Sequence, residues 1–207
     1  MSYGALVLAA GFGRRFGGNK LAAQLPGGHS VLQQTLQHIA DATPHITLVT
    51  RPELQESGML DAELLLNGHR APIRDLVNCI PCVDADKGMG HSIACGIREI
   101  AHWQGCLICL GDMPHVRSST YRQLLQALEQ SPIVLPVHDG RPGNPVGFSA
   151  QHFHRLAECH GDSGARRLIR NLGEQVLHLD LDDPGIHRDI DTPADLGESH
   201  SRNEQPS

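Results

Sequence analysis

Six short apolar runs punctuate this chain, separated by stretches whose apolar residues recur at helical spacing. Ala5-Leu6-Val7-Leu8-Ala9, Ile46-Thr47-Leu48-Val49, Cys79 to Val83, Cys106 to Leu110, Ile133-Val134-Leu135-Pro136 and Val176 to Leu181 have the length and composition of buried strands. Between the first two, Ser30 caps a helix with Gln33 three residues on, Leu32, Leu36 and Ile39 form its stripe, and it ends before Pro44. Ile93, Ile97 and Ile100 give a second helix its buried face. Ser118 or Ser119 opens a third, with Leu124, Leu125 and Leu128 inward. Glu53 to Asn78 reads as helical without clear boundaries. From His138 to Phe148 the alternation breaks into a turn and a short extended piece, expected to run antiparallel at one edge of the sheet. Gly161-Asp162-Ser163-Gly164 opens a further helix with Ala165, Leu168 and Ile169 inward, and Thr192, Pro193 and Asp195 read as N-cap, N1 and N3 of a last one. Such alternation predicts an α/β fold: a Rossmann-like, three-layer, open and mostly parallel sheet with helices on both faces. It also predicts a ligand crevice outside the carboxyl ends of the strands. One domain is expected over residues 1–197, with 198–207 a polar, disordered tail.

Composition narrows the function. A chain of 207 residues is long enough for one sizeable core, and its net charge of −6 argues against a nucleic-acid surface. Aromatics are only 3% of the chain, which removes stacking platforms for single strands. The apolar start has no basic segment ahead of it and is followed at once by Arg14-Arg15, unlike a secretory signal, and no stretch has the length of a membrane span. The expected location is cytoplasmic. Cys79-x-x-Cys82 and Cys106-x-x-Cys109 have the spacing of zinc half-sites, but strand alternation sends the sulfurs of Cys106 and Cys109 to opposite faces. The cysteines therefore read as small core residues in a reducing compartment.

The chemistry gathers at the end of the first strand, which empties into Gly11, Gly13, Gly17 and Gly18 interleaved with Arg14, Arg15 and Lys20. Glycines let backbone N–H groups approach a ligand and the cations supply positive charge, so the loop suits nucleotide phosphates. Two well-known loops are excluded. A dinucleotide GxGxxG needs glycine where Phe16 stands, and a P-loop GxxxxGK[ST] is broken by Asn19 and by Leu21 in place of the hydroxyl. Asp112, after Cys106 to Leu110, and Asp191 are each read at the end of a strand on the loop's side. Carboxylates there, opposite a phosphate cradle, suit Mg²⁺. The plainer reading is a turn aspartate before Met113-Pro114 and a capping group beside Thr192.

Taken in order, LAAGFGRRFGGNKLA, GMGHSIACGIR, GDMP, GNPVGF, GDSGARRL and DIDTPADL resemble, over almost the whole chain, the nucleotidyltransferases related to molybdenum cofactor cytidylyltransferase and guanylyltransferase. The resemblance implies a nucleoside triphosphate bound by the first loop and transfer of its nucleotidyl group to a phosphorylated small-molecule acceptor. It implies that Ala9, Ala10 and Gly11 meet base and ribose, that Gly13, Arg15 and Lys20 meet the triphosphate, and that Asp112 holds Mg²⁺ with Asp191, or Asp189 two residues away, as second ligand. Arg15, Lys20 and Asp112 would carry the catalysis. Phe16 stands where the family often has methionine, and His91 where it often has serine. Gly143, Asn144, Pro145 and the Gly161 to Arg166 segment, irregular and glycine-bearing, are expected to hold the acceptor, with Arg166 its cation. Ala10 replaces the glycine of the guanylyltransferases; its methyl narrows the base slot and favours CTP, with molybdopterin cofactor as acceptor and a molybdoenzyme as target. The competing readings are a sugar or polyol phosphate acceptor, or a non-catalytic cofactor-binding chaperone for molybdenum hydroxylase maturation.

Overall fold

The computed structural model describes residues 2–11, 16–161, 169 and 176–197. In chain order, β1 (Tyr3–Leu8) leads to α1 (Val31–Ala40), β2 (Ile46–Thr50), α2 (Pro52–Glu56), the hairpin β3 (Glu63–Leu66) and β4 (His69–Pro72), α3 (Ile73–Leu76) and β5 (Asn78–Pro81). Then follow α4 (Met89–Glu99), β6 (Gly105–Leu110), α5 (Ser118–Leu128), β7 (Ile133–His138), β8 (Arg141–Pro142), β9 (Val146–Ser149), α6 (Phe153–Leu156) and β10 (Val176–Asp180). The main sheet runs β10-β7-β9-β6-β1-β2-β5, with β8 paired to β7. It is the open, mostly parallel α/β sheet expected from the alternation of apolar runs.

Strand alternation splits the core into two layers, one on each side of the sheet. Ala5, Val7 and Ala9 face α1 and α5 together with Leu36 and Leu124, whereas Leu6, Leu8 and Ala10 face α4 and α6 with Ile93, Ile97 and Phe153. Cys109 lies in the first layer and Cys106 in the second, both buried, so this CxxC holds its sulfurs on opposite faces of the sheet. The helix behind Ser30 has its capping box: the Ser30 hydroxyl accepts from the Gln33 N–H, and the Gln33 side chain accepts from the Ser30 N–H.

Three local expectations are corrected. The region from Glu53 to Asn78 is not one helix but two short ones around the β3–β4 hairpin. Asn67 and Gly68, at φ 51° and 79°, form the two-residue turn that an Asn-Gly pair favours. Gln33 and Gln37 of α1 bond the backbone of Glu63 and Leu65, so the hairpin rides on α1. The antiparallel piece after His138 lies inside the sheet, with β9 paired to both β6 and β7, not at an edge. Neither Ser118 nor Ser119 caps α5. The N-cap is Arg117, and the buried Asp183, far along the chain, accepts hydrogen bonds from the Arg117 N–H and the Thr120 hydroxyl at 2.9 and 2.6 Å. At the C-terminal turn, Pro193–Gly197, the residues Thr192, Pro193 and Asp195 take the expected places, and the Asp195 carboxylate accepts from the N–H and hydroxyl of Thr192 and from the Asp191 N–H. The expected helix from Gly161 falls almost wholly outside the described residues, as does the tail.

Candidate active site

The strand order reverses at β1, with β2 on one side and β6 on the other, and at such a switch point the loops leaving the carboxyl ends diverge and open a crevice. A cleft of about 460 Å³ lies there. Leu8, Ala9, Ala10 and Gly11 line it from the end of β1, Lys20 and Leu21 from a short 3₁₀ turn, and Leu110 and Asp112 from the end of β6. Ala85, Asp86, Gly88, Met89 and Ser92 line it from the approach and first turn of α4, and Asp189 and Asp191 from the C-terminal segment. Backbone contacts fix the frame. Gly111 N–H bonds Leu8 C=O at 3.0 Å, and Ile190 N–H bonds Asp112 C=O at 2.9 Å. A Cβ on Gly111 would meet Leu8 O and Leu32 Cδ1 at 3.2 Å, so the close approach of β6 to β1 depends on the missing side chain. At Gly11 a Cβ would meet nothing within 4 Å, so packing among the described residues does not demand glycine there and its bareness keeps the cleft open.

Lys20, Asp112 and Asp191 converge although Lys20 and Asp191 are 171 positions apart. Lys20 Nζ lies 2.5 Å from Asp112 Oδ2 and 3.4 Å from Asp191 Oδ1, with the Lys20 and Asp112 side chains only 13% and 16% exposed. Asp112 Oδ1 is buried and accepts no hydrogen bond. Burial raises the Asp112 pKa; the Lys20 ammonium opposes this and neighbouring Asp189 reinforces it, and the net direction is upward. Burial works against the Lys20 charge as well, but Asp112 and then Asp191 outweigh it and the Lys20 pKa is also raised. An isolated ion pair would lower its carboxylate's pKa. That the Asp112 pKa still rises beside an ammonium shows that the cost of burying this carboxylate outweighs its ion pair, whereas the Asp191 side chain remains 42% exposed.

An orphaned, buried carboxylate oxygen beside a second carboxylate fits a hard divalent cation. Among the described residues no group of three or more His, Cys, Asp and Glu side chains forms a ready-made cage. Asp112 and Asp191 would thus hold such an ion by two ligands, leaving its other positions to ligand and water.

Of the residues expected at the site, Ala9, Ala10, Gly11, Lys20, Asp112, Asp189 and Asp191 share this cleft. Gly13, Arg15 and Arg166 lie outside the described residues. Asp189 and Asp191, expected at the end of a strand, lie instead in a segment outside any strand, pinned to Asp112 C=O by Ile190 N–H. Gly143, Asn144 and Pro145 are not among the residues lining the cleft; Gly143 lies against Ile186, whose carbonyl accepts from Asn144 N–H, and the Asn144-Pro145 bond is cis. Gly161 lies against the start of α4: Gly90 N–H bonds its carbonyl, and its own N–H bonds His91 Nδ1 at 3.4 Å. The sequence reading gave no site role to Asp86, Gly88, Met89 or Ser92. The available signal was the position of Gly88, at φ 116° between a strand and a helix, the same strand–glycine–helix pattern that marked the first loop.

Residues 5–176 match the MobA-like NTP transferase domain. The chain belongs to this family. A MobA-like NTP transferase is a nucleotidyltransferase. The purine catabolism protein PucB of Bacillus subtilis is 32% identical to this MobA-like chain over 192 residues, covering 91% of each. Among solved structures, Rv0371c of Mycobacterium tuberculosis superposes with a TM-score of 0.79 at 23% identity, over 94% of this chain and 96% of that one. A second structure of that protein, complexed with manganese, gives 0.75 over the same shares at the same identity. The molybdopterin-guanine dinucleotide biosynthesis protein A of Archaeoglobus fulgidus superposes at 0.65 with 20% identity, over 94% and 95%. At these identities the solved structures establish the shared fold. Among the described residues of this transferase, no helix is long and apolar enough to cross a membrane.

Proposed function

We propose that this MobA-like NTP transferase moves CMP from CTP to the terminal phosphate of a molybdopterin-type cofactor, with Mg²⁺, releasing pyrophosphate. The observation that carries the reading is the Lys20 ammonium between Asp112 and Asp191 at the switch point, which combines a phosphate-binding cation with the carboxylates of a metal site. Mg²⁺ characteristically binds through one or two carboxylates plus substrate phosphates, and two is what Asp112 and Asp191 offer. The manganese complex of Rv0371c supports a divalent ion in this fold. Held by Asp112 and Asp191, such an ion would supply Lewis-acid stabilisation of the negative charge on the phosphate oxygens.

The chain's own residues then align two polyanions. Ala9, Ala10 and Gly11 flank base and ribose, and Gly13, Arg15 and Lys20 cradle the triphosphate. An oxygen of the acceptor phosphate attacks the α-phosphorus in line, its new P–O bond replacing the bond to pyrophosphate, which leaves with the electron pair. No covalent enzyme intermediate is needed. The effect of Lys20 and Arg15 is electrostatic: they neutralise charge developing on the bridging and leaving oxygens and hold the reactants in register. Ala10 is buried in the cleft wall, and its methyl penalises a two-ring base more than a one-ring base. Gly143, Asn144, Pro145 and Arg166 remain the proposed acceptor side, and the bond from Gly90 N–H to the Gly161 carbonyl at the start of α4 supports the Gly161 end of that assignment. A molybdoenzyme is the proposed recipient of the product. A chaperone that only binds cofactor has no need of Lys20 paired to two carboxylates, which favours catalysis.

The test is pyrophosphate release with Mg²⁺ over CTP, GTP, ATP and UTP against phosphorylated acceptors. CTP with molybdopterin should give the highest kcat/KM. A preference for GTP would overturn the cytidylyl assignment, and a sugar or polyol phosphate as best acceptor would replace the cofactor.

A further inference from the structure

We infer that Lys20 is a built-in stand-in for the divalent cation: in the ligand-free chain its ammonium fills the place between Asp112 and Asp191, so that the ion enters together with the nucleotide and not ahead of it. This rests on the assignment of those two carboxylates to the ion made above. The ammonium reaches both carboxylates, Oδ2 of Asp112 at 2.5 Å and Oδ1 of Asp191 at 3.4 Å, in a pocket where both Lys20 and Asp112 are largely shielded from water. A dication arriving there meets a positive charge at a few ångströms under weak solvent screening, and the repulsion opposes binding until the ammonium leaves.

The ammonium has a short path out. Lys20 opens a 3₁₀ turn closed by the bond from Ala23 N–H to Lys20 C=O, and Leu21 beside it is buried in the core, so the backbone is anchored. What remains free to swing is the four-carbon side chain. The triphosphate supplies oxygens for it, and the two ligands therefore assist one another. The ion takes the carboxylates as the ammonium takes the phosphates. An ion alone strands the ammonium, and a nucleotide alone leaves Asp112 and Asp191 facing a polyanion. The coupling is reciprocal: whatever factor the nucleotide adds to metal affinity, the metal adds to nucleotide affinity, and factors of about 5 to 150 are usual for such linkage.

The experiment is a Mn²⁺ titration followed by electron paramagnetic resonance, with wild type, Lys20→Met, Lys20→Gln and the double variant Lys20→Met/Asp112→Asn. Each is measured alone and with a non-hydrolysable CTP analogue, protein-bound Mn²⁺ being separated from nucleotide-bound Mn²⁺ by water-proton relaxation. Without nucleotide, Lys20→Met and Lys20→Gln should bind Mn²⁺ at least about tenfold more tightly than wild type. The analogue should tighten Mn²⁺ binding by about tenfold or more in wild type and by clearly less in the variants. Equal or weaker Mn²⁺ affinity in variants that keep a folded circular-dichroism spectrum overturns the stand-in role. Should the variants not fold, wild type decides: an analogue that leaves its Mn²⁺ affinity unchanged overturns it equally. If the double variant binds Mn²⁺ as tightly as Lys20→Met, the ion does not rest on Asp112, and the metal assignment falls together with the inference built on it.

Discussion

Asp183→Ala should be among the most damaging substitutions in the chain, although Asp183 belongs to no motif and lines no part of the cleft. Its side chain is 3% exposed and accepts three hydrogen bonds: from Arg117 N–H at 2.9 Å, Thr120 Oγ1 at 2.6 Å and Gly185 N–H at 2.9 Å. Two of these cap α5 and the third closes the turn that leads to Asp189 and Asp191. A hydrogen bond to a charged group contributes about 1.5–3 kcal/mol, but three on one carboxylate share the penalty of burying it, so their simple sum overstates the effect. Losing a helix cap alone costs about 1–2 kcal/mol, and leaving the Gly185 N–H without its acceptor adds about 1–3 kcal/mol. The expected loss is therefore about 2–5 kcal/mol, a large fraction of the roughly 5–15 kcal/mol that holds a typical domain together. For a chain of this size that lowers Tm by about 10 °C. Asp183→Asn keeps one acceptor oxygen and should fall between wild type and alanine. Urea denaturation followed by circular dichroism measures both, read as a shift in midpoint at constant slope. Because the same turn carries Asp189 and Asp191 to the cleft, activity should fall at temperatures where the variant is still folded. A stability loss below about 1 kcal/mol for Asp183→Ala would show that α5 does not depend on this distant cap.

Lys20→Ala should lose about 3 kcal/mol of transition-state stabilisation, on the scale of removing one preorganised donor to developing charge; steady-state kcat/KM reduced by less than tenfold would mean Lys20 does not act on the phosphates. Ala10→Gly should relax the preference for CTP over GTP by about ten- to two-hundred-fold, read as the ratio of the two kcat/KM values, and an unchanged ratio removes Ala10 from base selection. Tyr121 is wholly buried, and burial raises its pKa, with Cys109 and Asp183 adding to the rise. A raised folded value means that its contribution to stability is complete below the ordinary tyrosine value near 10 and is lost as pH climbs beyond it, because the unfolded chain releases the proton first. One of the two tyrosines should therefore ionise, by ultraviolet absorbance, only in step with the loss of circular dichroism, and ionisation of both in a folded chain would contradict this.

Much of the architecture was legible in the sequence because local physics and tertiary structure agreed. The apolar runs became β1, β2, β5, β6, β7 and β10, Ser30 and Gln33 formed their capping box, and the glycines after β1 and the carboxylate after β6 marked the ends that border the crevice. Alternation along β6 was enough to part the sulfurs of Cys106 and Cys109, since a strand has one geometry and it assigns every side chain to a face. The β3–β4 hairpin was not read from the sequence: Asn67-Gly68 is a turn pair, but Glu63–Leu66 and His69–Pro72 show no polar–apolar alternation and the surrounding spacing reads as helical.

The sequence by itself, then, determined the elements, their order and the residue types from which a nucleotide site is built, because each depends on near neighbours: periodicity, caps, turns and the freedom of glycine. Tertiary structure alone decided three things. It inserted β9 between β6 and β7, it replaced the serines at the start of α5 with Asp183, and it brought the C-terminal Asp191 to Lys20. Each is a contact between residues far apart in the chain. Such a contact forms because a buried strand edge, a helix N-terminus or a desolvated charge must find a partner somewhere, and no local pattern specifies which of several chemically suitable groups the fold will deliver.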